Sequence, residues 1–542
     1  MSTSSPAPDA PSTPGTAPIR GARTSTVVVM VATLLTKLVG LARETMSSAL
    51  FGAGAAFSAF TVAFQIPNVI RTFVADQALV GSLVPVFTGL REEDEEERAW
   101  RVASTIVSVL LLMLVPATLI AMYFGEFFVD LVVYDHFDEM TLAVELFRIL
   151  VPIVMLMSIG GVIIGILNSY GKFGPPAIAQ LAFNVVSVAF TAVVVFLVPK
   201  DEEIFVYAIS IVIATVVQAL LPVPWLRGHG HRLKLGTSFR DPAVKAVLVA
   251  MLPVMLSLAV ISINNIVNTY WSSRIPGSML DGDAGAGPAV IYRAFSLFQL
   301  PQGIFSLAVA TVFFPLFARY SARGDHDGFR DATVASVRQI VVLLMPASLF
   351  MIVLAEPIVR LLFQYGATDG GDTELIASAL RGFSWGLIGN GAIQLLMRAF
   401  FSLKSPWTPA AIGFFTNFLL HVIVAGLLHT EYGVFGITVS MAIANTVTFF
   451  AMWYILRRRI GGMSMRPVAS ITGLALLVGS LSVGLGYLTW SGIEQLLGDG
   501  FLAQLLGMGL AVIVTWGIYS ALALKFRMVN APQLRAILRR GR

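Results

Sequence analysis

Fourteen stretches of this 542-residue chain stay apolar for the length of a bilayer crossing, and that feature leaves few folds open. A helix spanning the hydrocarbon core needs about 20 mostly apolar residues. Such stretches lie at about 25–50, 58–89, 102–124, 140–170, 176–199, 204–225, 243–272, 287–318, 332–355, 374–402, 406–429, 433–456, 467–490 and 500–524. They are continuous and rich in Leu, Ala and Val, without the alternation of membrane barrel strands. Many exceed 20 residues, so tilt or bending is expected. Charged residues make up 12% of the chain, against roughly 25% in soluble domains, which excludes a soluble enzyme. With no cysteine, a disulfide scaffold is excluded too. The expected fold is an all-α polytopic membrane protein with fourteen transmembrane helices.

The distribution of charge orients it. Of 36 Lys and Arg, 27 fall in the tails and the even-numbered connections, counting Lys245, Arg338 and Arg398 at the adjoining span ends, three (Lys200, Arg274 and Arg360) in the odd-numbered ones, and six elsewhere inside spans. This is the positive-inside pattern, which places both termini in the cytoplasm. It also explains the net charge of +5 without nucleic acid as a partner. Residues 1–24, rich in Pro, Ser, Ala and Thr, are expected to be a disordered cytoplasmic tail. They are not a signal peptide, because the small-residue tract precedes the apolar run. A basic tail covers 527–542, and the charge run from Arg91 to Arg98 reads as a solvated helix start.

An internal duplication divides the spans. FGPPAIAQLAFN ends at Asn184 and SPWTPAAIGFFTN at Asn417, an offset of 233 shared by Arg148 and Arg381. FQIP, ending at Pro67, matches FQLP, ending at Pro301, at an offset of 234. The first helix thus maps onto the seventh, an even number of crossings away, which makes a parallel repeat about an axis near the membrane normal. The expected units are an N-lobe at 25–226, a C-lobe at 227–460, and an added pair of helices at 461–526. Two six-helix lobes suit rocking around a midplane site.

Charges inside the spans locate that site. A charged side chain at mid-membrane costs roughly 2.5–3.5 kcal/mol on insertion scales. Lys37, Arg43, Arg71 and Arg293 therefore require a wet cavity, an acidic partner or an anion. Glu44 and Asp76 are the nearest acids. Thr36, Gly40 and Arg43 share one face of the first helix, and Lys37, Gly40 and Glu44 an adjoining stripe. Gly40 removes bulk there. Arg71 follows Asn68 and a bend expected at Pro67, and Arg293 lies on the repeat mate of that helix. A surplus of cations favours an anionic ligand, and the planar Arg fork suits phosphate. Arg148 and Arg381 read as structural ion pairs beside Glu145 and Glu374. Asn264, Asn265 and Asn268 read as helix packing, with an ion or substrate contact as the alternative. No nucleotide motif appears, the six His show no metal spacing (His229 and His231 read as a solvated pair), and no cofactor is expected.

TKLVGLARE (Thr36–Glu44), FGAG (Phe51–Gly54) and AFQIPNVIRTFVADQAL, with VPVF ending at Phe87, resemble the start of the MurJ/MviN lipid II flippases. These belong to the multidrug/oligosaccharidyl-lipid/polysaccharide exporter superfamily. The resemblance covers about residues 25–525. It implies that lipid II, the undecaprenyl-pyrophosphate-linked peptidoglycan precursor, is moved from the inner to the outer leaflet of a bacterial cytoplasmic membrane for cell-wall synthesis. The family's early Ser-Arg pair falls on Thr36 and Lys37, its next essential Arg on Arg43, its following acid on Glu44, and its second-helix Arg on Arg71. Two positions depart from the pattern. The family's acid after FGAG falls on Ser58, and its eighth-helix Arg on Ser296, with Arg293 one turn away as a substitute.

The expected mechanism is alternating access. Arg43, Arg71 and Lys37 hold the pyrophosphate and Arg293 completes the clamp from the other lobe. The lipid tail lies along the last two helices, and Gly40, Pro67 and Pro301 are candidate hinges. Membrane potential or an ion gradient is expected to drive the cycle, and membrane lipids and cell-wall synthesis machinery are the expected further partners. The rivals are a drug/ion antiporter with an acidic cavity, a membrane enzyme using outer-loop acids such as Asp135, Asp138 and Asp281, and a scaffold without transport.

Overall fold

A computed structural model of the chain describes residues 20–71, 78–133, 137–227, 233–280 and 285–528. Asp76, Asp135, His229, His231 and Asp281, residues 1–19 of the expected tail and residues 529–542 lie outside them. The described residues contain helices and connections and no strand.

The N-lobe comprises α1 (Arg20–Phe51), α2 (Ala55–Arg71), α3 (Ala78–Glu92), α4 (Glu96–Tyr123), α5 (Gly125–Asp130), α6 (Met140–Leu150), α7 (Ile153–Ser169), α8 (Gly174–Val194) and α9 (Glu203–Leu220). Next come α10 (Pro242–Ser272), α11 (Gly287–Ala322), α12 (His326–Val353), α13 (Ala355–Phe363), α14 (Gly370–Trp385), α15 (Leu387–Ser402), α16 (Trp407–Ile412), a π-helical turn at Gly413–Leu419, and α17 (Leu420–Arg459). Two further helices close the chain, α18 (Arg466–Leu497) and α19 (Phe501–Lys525). The described residues of the fourteen expected stretches fall mainly on helix, several stretches being built from two shorter helices in series. Within α17 the backbone turns at Gly433 (φ 52°), which separates the eleventh and twelfth stretches; only glycine adopts this conformation freely. α1 starts at Arg20, five residues before the expected crossing and inside the stretch read as a disordered tail.

The duplication has a packing counterpart. Asn184 on α8 donates to the Thr36 carbonyl of α1 at 3.3 Å. Its repeat mate, Asn417, accepts from Asn264 of α10 and donates to Asn445 at 2.7 Å. In each lobe the fifth crossing thus presents an asparagine to the first. α11 bends by 44° between its Gly287–Ser306 and Ala308–Ala322 portions, about five residues after Pro301 rather than at it. Pro67 and Pro301 both stay inside their helices, where each lacks the N–H that would bond back one turn.

The lobe boundary at 226/227 is not a boundary in the packing. Val244, Val247 and Met251, in the first turns of α10, belong to a buried cluster with Leu79, Leu83, Phe87 and Trp100 of the N-lobe. The strand of chain before α10 is fastened there too: Arg98 grips Asp241 through Nε and Nη2, both at 3.1 Å, and the Ser104 hydroxyl accepts from the Lys234 backbone. The guanidinium holds the Asp241 carboxyl below its ordinary pKa. The far half of α10 packs instead on α17. A helix shared in this way ties the motion of one lobe to the other.

The C-lobe packs tightly where glycine allows it. A Cβ on Gly382 of α14 would overlap the Thr438 hydroxyl and reach 2.9 Å from the Thr438 Cβ and 3.1 Å from the Val439 backbone nitrogen. A backbone neighbour cannot swing away. Gly382→Ala is expected to destabilise the protein by about 1–3 kcal/mol, read as a lowered thermal midpoint of the purified protein. An unchanged midpoint would show that α14 and α17 have slack.

Candidate substrate cleft between the lobes

The lobes meet firmly at one end of the bundle, where α1 finishes and α11 begins. Arg293 on α11 is 0% exposed. Its Nε donates to the Gly52 carbonyl at 2.9 Å, Nη2 to the Ser47 carbonyl at 3.1 Å and Nη1 to the Ser47 hydroxyl at 3.3 Å, while the guanidinium lies 4.0 Å over the Phe57 ring. The last carbonyls of a helix have no partner within it and carry the negative end of its dipole. Arg293 supplies both the donors and the charge. The seal continues across the same end. Ala367 donates through its backbone to Ala49 at 2.8 Å, Thr368 to the Ser48 carbonyl at 2.8 Å, and Ala53 to the Asp372 carboxylate at 3.0 Å. Ser58 of α2 accepts from the Ala289 backbone at 3.1 Å, so a hydroxyl caps the start of α11 where the family pattern has an acid.

Arg293 is therefore not a free arm of a substrate clamp in this conformation. All three of its nitrogens are spent on closing the lobes. Ser296 likewise turns inward on its own helix, its hydroxyl donating to the Arg293 carbonyl at 2.7 Å. Thr36 is buried and bonds back to Ala32 at 2.7 Å. Gly40 is not a bend, since α1 runs straight through it as helix, and the group it admits is Asn184, whose amide lies 3.6 Å from where a Cβ would sit. Arg148 caps the end of α4 by donating to the Met122 carbonyl at 3.1 Å, a carbonyl contact and not the ion pair expected.

Lys37 is exposed on α1, and its Nζ lies 3.8 Å from where a Cβ on Gly303 would stand, on the opposite lobe. Asn68 and Arg71 are half-buried on a common edge of α2. Arg43 lies between Lys37 and the seal on α1. Its Nη2 meets Glu44 Oε1 at 2.6 Å, the side chains being 16% and 8% exposed, and Tyr292 of α11 donates to the same oxygen at 3.4 Å. Lys37 and Arg43 thus lie on α1, and Asn68 and Arg71 on α2, of the N-lobe. On the C-lobe side Gln302 donates to Asn390 Oδ1 at 2.6 Å and Gln394 to the same atom at 3.4 Å. Arg398, counted by sequence with the basic connections, stands one turn beyond Gln394 inside α15 and is half-buried. The Asn390, Gln394 and Arg398 spacing of four was the available signal for this stripe.

The asparagine patch on α10 belongs elsewhere. Asn264 donates to Asn417 and accepts through Oδ1 from His421 Nδ1, 3.2 Å away, in a buried network of the C-lobe. Among the described residues no group of three or more His, Cys, Asp or Glu could hold a metal ion.

A bundle of long apolar helices whose repeat-related halves are fastened at one end by Arg293 defines a polytopic membrane protein. The lipid II flippase MurJ family model matches residues 47–506, and the chain belongs to that family. Its curated relatives include a lipid II flippase MurJ of Burkholderia cenocepacia, 27% identical over 85% of this chain and 88% of that protein, and a probable lipid II flippase MurJ of Rhizobium tropici, 27% identical over 95% of this chain and 96% of its own length. The fold is similar to a solved lipid II flippase MurJ in an inward closed conformation, with a TM-score of 0.74 and 18% identity, over 92% of this chain and 99% of that one. It is also similar to an inward-facing multidrug resistance MATE transporter of the MOP superfamily, with a TM-score of 0.67 and 18% identity, over 80% and 98%.

Proposed function

We propose that this multi-pass membrane protein moves lipid II across the bilayer by alternating access. The observation that carries this reading is the asymmetry between the ends of the bundle: one end is fastened by Arg293, while the exposed Lys37 and the half-buried Arg71 lie away from it. That other end is the one that bears most of the Lys and Arg, which the positive-inside rule places in the cytoplasm with both termini. A pyrophosphate entering there meets Lys37 and Arg71 first and Arg43 deeper. The isoprenoid tail stays in the lipid along α18 and α19, which expose Leu477, Leu481, Leu488, Leu502 and Ile513. These two helices are fixed to the C-lobe by Arg360, which bridges Glu356 at 2.7 Å and Glu494 at 2.9 Å, and by Tyr519, whose hydroxyl donates to the Val342 carbonyl at 2.7 Å.

The inside-negative membrane potential supplies the direction. An empty cationic site returns inward with a gain of about 2.3 kcal/mol per charge per 100 mV. The outward protein hands lipid II to cell-wall synthesis machinery. A drug/ion antiporter would need an acidic cavity, yet α10, α11 and α15 contain no Asp or Glu.

Expression of the chain in cells depleted of their own flippase tests the reading. Lipid II should reach the outer leaflet, and its arrival should stop when the potential and ion gradients are collapsed. Failure to restore arrival, with the protein present in the membrane, would remove the substrate assignment. Arrival that survives the collapse would remove the driving force.

A further inference from the structure

The seal uses Arg293 completely, so the C-lobe wall of the cleft needs another source of positive charge. Arg398 fits that need. It is half-buried within α15, one turn from that helix's basic end, and no ion pair joins it to a described residue. α11 and α15 contain no acid, and of the acids on the other helices packed against α15, Asp327 pairs with Arg330 while neither Asp331 nor Glu431 forms an ion pair with Arg398. A cation at membrane depth without a carboxylate has to face water or an anion.

The surroundings say which. Arg398 ends a polar run that begins at Lys37 on the other lobe and continues through Gln302, Asn390 and Gln394. Gln302 is adjacent to Gly303, where Lys37 arrives. The Asn390 Oδ1 atom already accepts from both Gln302 and Gln394, which leaves the Asn390 amide hydrogens and the two glutamine oxygens to turn outward. A shelf with both donors and acceptors suits hydroxyl and amide groups, whereas a planar guanidinium suits phosphate oxygens.

We infer that Arg398 is the C-lobe's phosphate-binding residue and that Gln302, Asn390 and Gln394 form a shelf for the sugar-peptide part of the same substrate. The inference rests on the flippase reading and adds a second half to its site. Lys37 and Arg398 then hold one headgroup from opposite lobes, so that binding itself draws the lobes together.

The test uses purified full-length protein in nanodiscs, with undecaprenyl pyrophosphate, undecaprenol and lipid II as probes. Arg398→Gln should weaken undecaprenyl pyrophosphate and lipid II by about tenfold, the scale of one lost charge-assisted hydrogen bond. Arg398→Lys should recover most of that loss. Gln394→Leu should weaken lipid II and leave undecaprenyl pyrophosphate unchanged. Should Arg398→Gln not fold, the wild-type chain decides: undecaprenyl pyrophosphate, but not undecaprenol, should protect Arg398 from an arginine-specific dicarbonyl reagent, read by peptide mass spectrometry. Unchanged affinity in Arg398→Gln while the double variant Arg43→Ala, Glu44→Gln weakens binding would overturn the inference and keep the flippase reading. Equal modification of Arg398 with either lipid would overturn it as well. No measurable binding of either phosphate lipid by the wild-type protein would overturn both.

Discussion

Arg293→Ala is expected to unfasten the closed end of the cleft and to lower the stability of the whole protein. The change leaves the Gly52 and Ser47 carbonyls without their donor in an apolar contact, at about 1–3 kcal/mol for each buried polar group left unsatisfied. It also removes the charge that sits on the end of the α1 dipole and over Phe57. Of the remaining fasteners, Ala367 on Ala49 and Thr368 on Ser48 hold the adjacent loop, and α11 keeps the Ala289 bond to Ser58 and the long Tyr292 contact with Glu44. The chain has no native cysteine, so a single introduced thiol reports on this region cleanly. Ser48, 0% exposed, is near in shape to cysteine. Ser48→Cys should resist a membrane-impermeant thiol reagent in the otherwise unchanged protein and react at least about tenfold faster beside Arg293→Ala, the factor that about 1.4 kcal/mol of lost closure gives. Arg293→Lys should fall between, because an ammonium has no fork to span two carbonyls. Equal labelling rates in all three proteins, with unchanged thermal midpoints, would show that the seal does not depend on Arg293.

That residue also marks how far the sequence could be read. The all-helical membrane fold and the family followed from apolar length and a few motifs, because a bilayer forces apolar runs into the linear order of residues. The partners of the buried cations did not follow. Arg293 was noticed because an arginine within a crossing is expensive. Its partners are backbone carbonyls about 240 residues away, and a carbonyl leaves no mark in a sequence. Gly40 was read correctly as a place of close approach, but which group approaches is decided by how α8 leans on α1. Arg398 was missed for the opposite reason. It lies near a helix end, where a basic residue is ordinary, and only the half-buried setting beside Gln394 and the lack of any acid on α15 make it unusual. The lobe boundary was misplaced because hydropathy places helices in the membrane and is silent on which neighbour each one joins, as α10 illustrates.

Arg43 and Glu44 call for the remaining large effect, and here structure and function can be separated. The two side chains pair at 2.6 Å beside the seal, and the Glu44 Oε2 atom is buried without a hydrogen-bond partner. In Arg43→Ala the Glu44 carboxylate keeps only the distant Tyr292 hydroxyl. Removing one member of a buried pair costs about 3–5 kcal/mol, so this variant should lose stability as well as flipping, and its inactivity alone would say little about the substrate. The double variant Arg43→Ala, Glu44→Gln removes the stranded charge. Its thermal midpoint should return most of the way to that of the unchanged protein. Lipid II arrival at the outer leaflet should remain down by about tenfold to a hundredfold, the value of the charged hydrogen bonds that Arg43 would give a pyrophosphate. Recovery of both quantities together would mean that Arg43 serves only to neutralise Glu44. Recovery of stability without transport would place the guanidinium on the substrate, and it would make Glu44 the group that holds Arg43 until an anion displaces it.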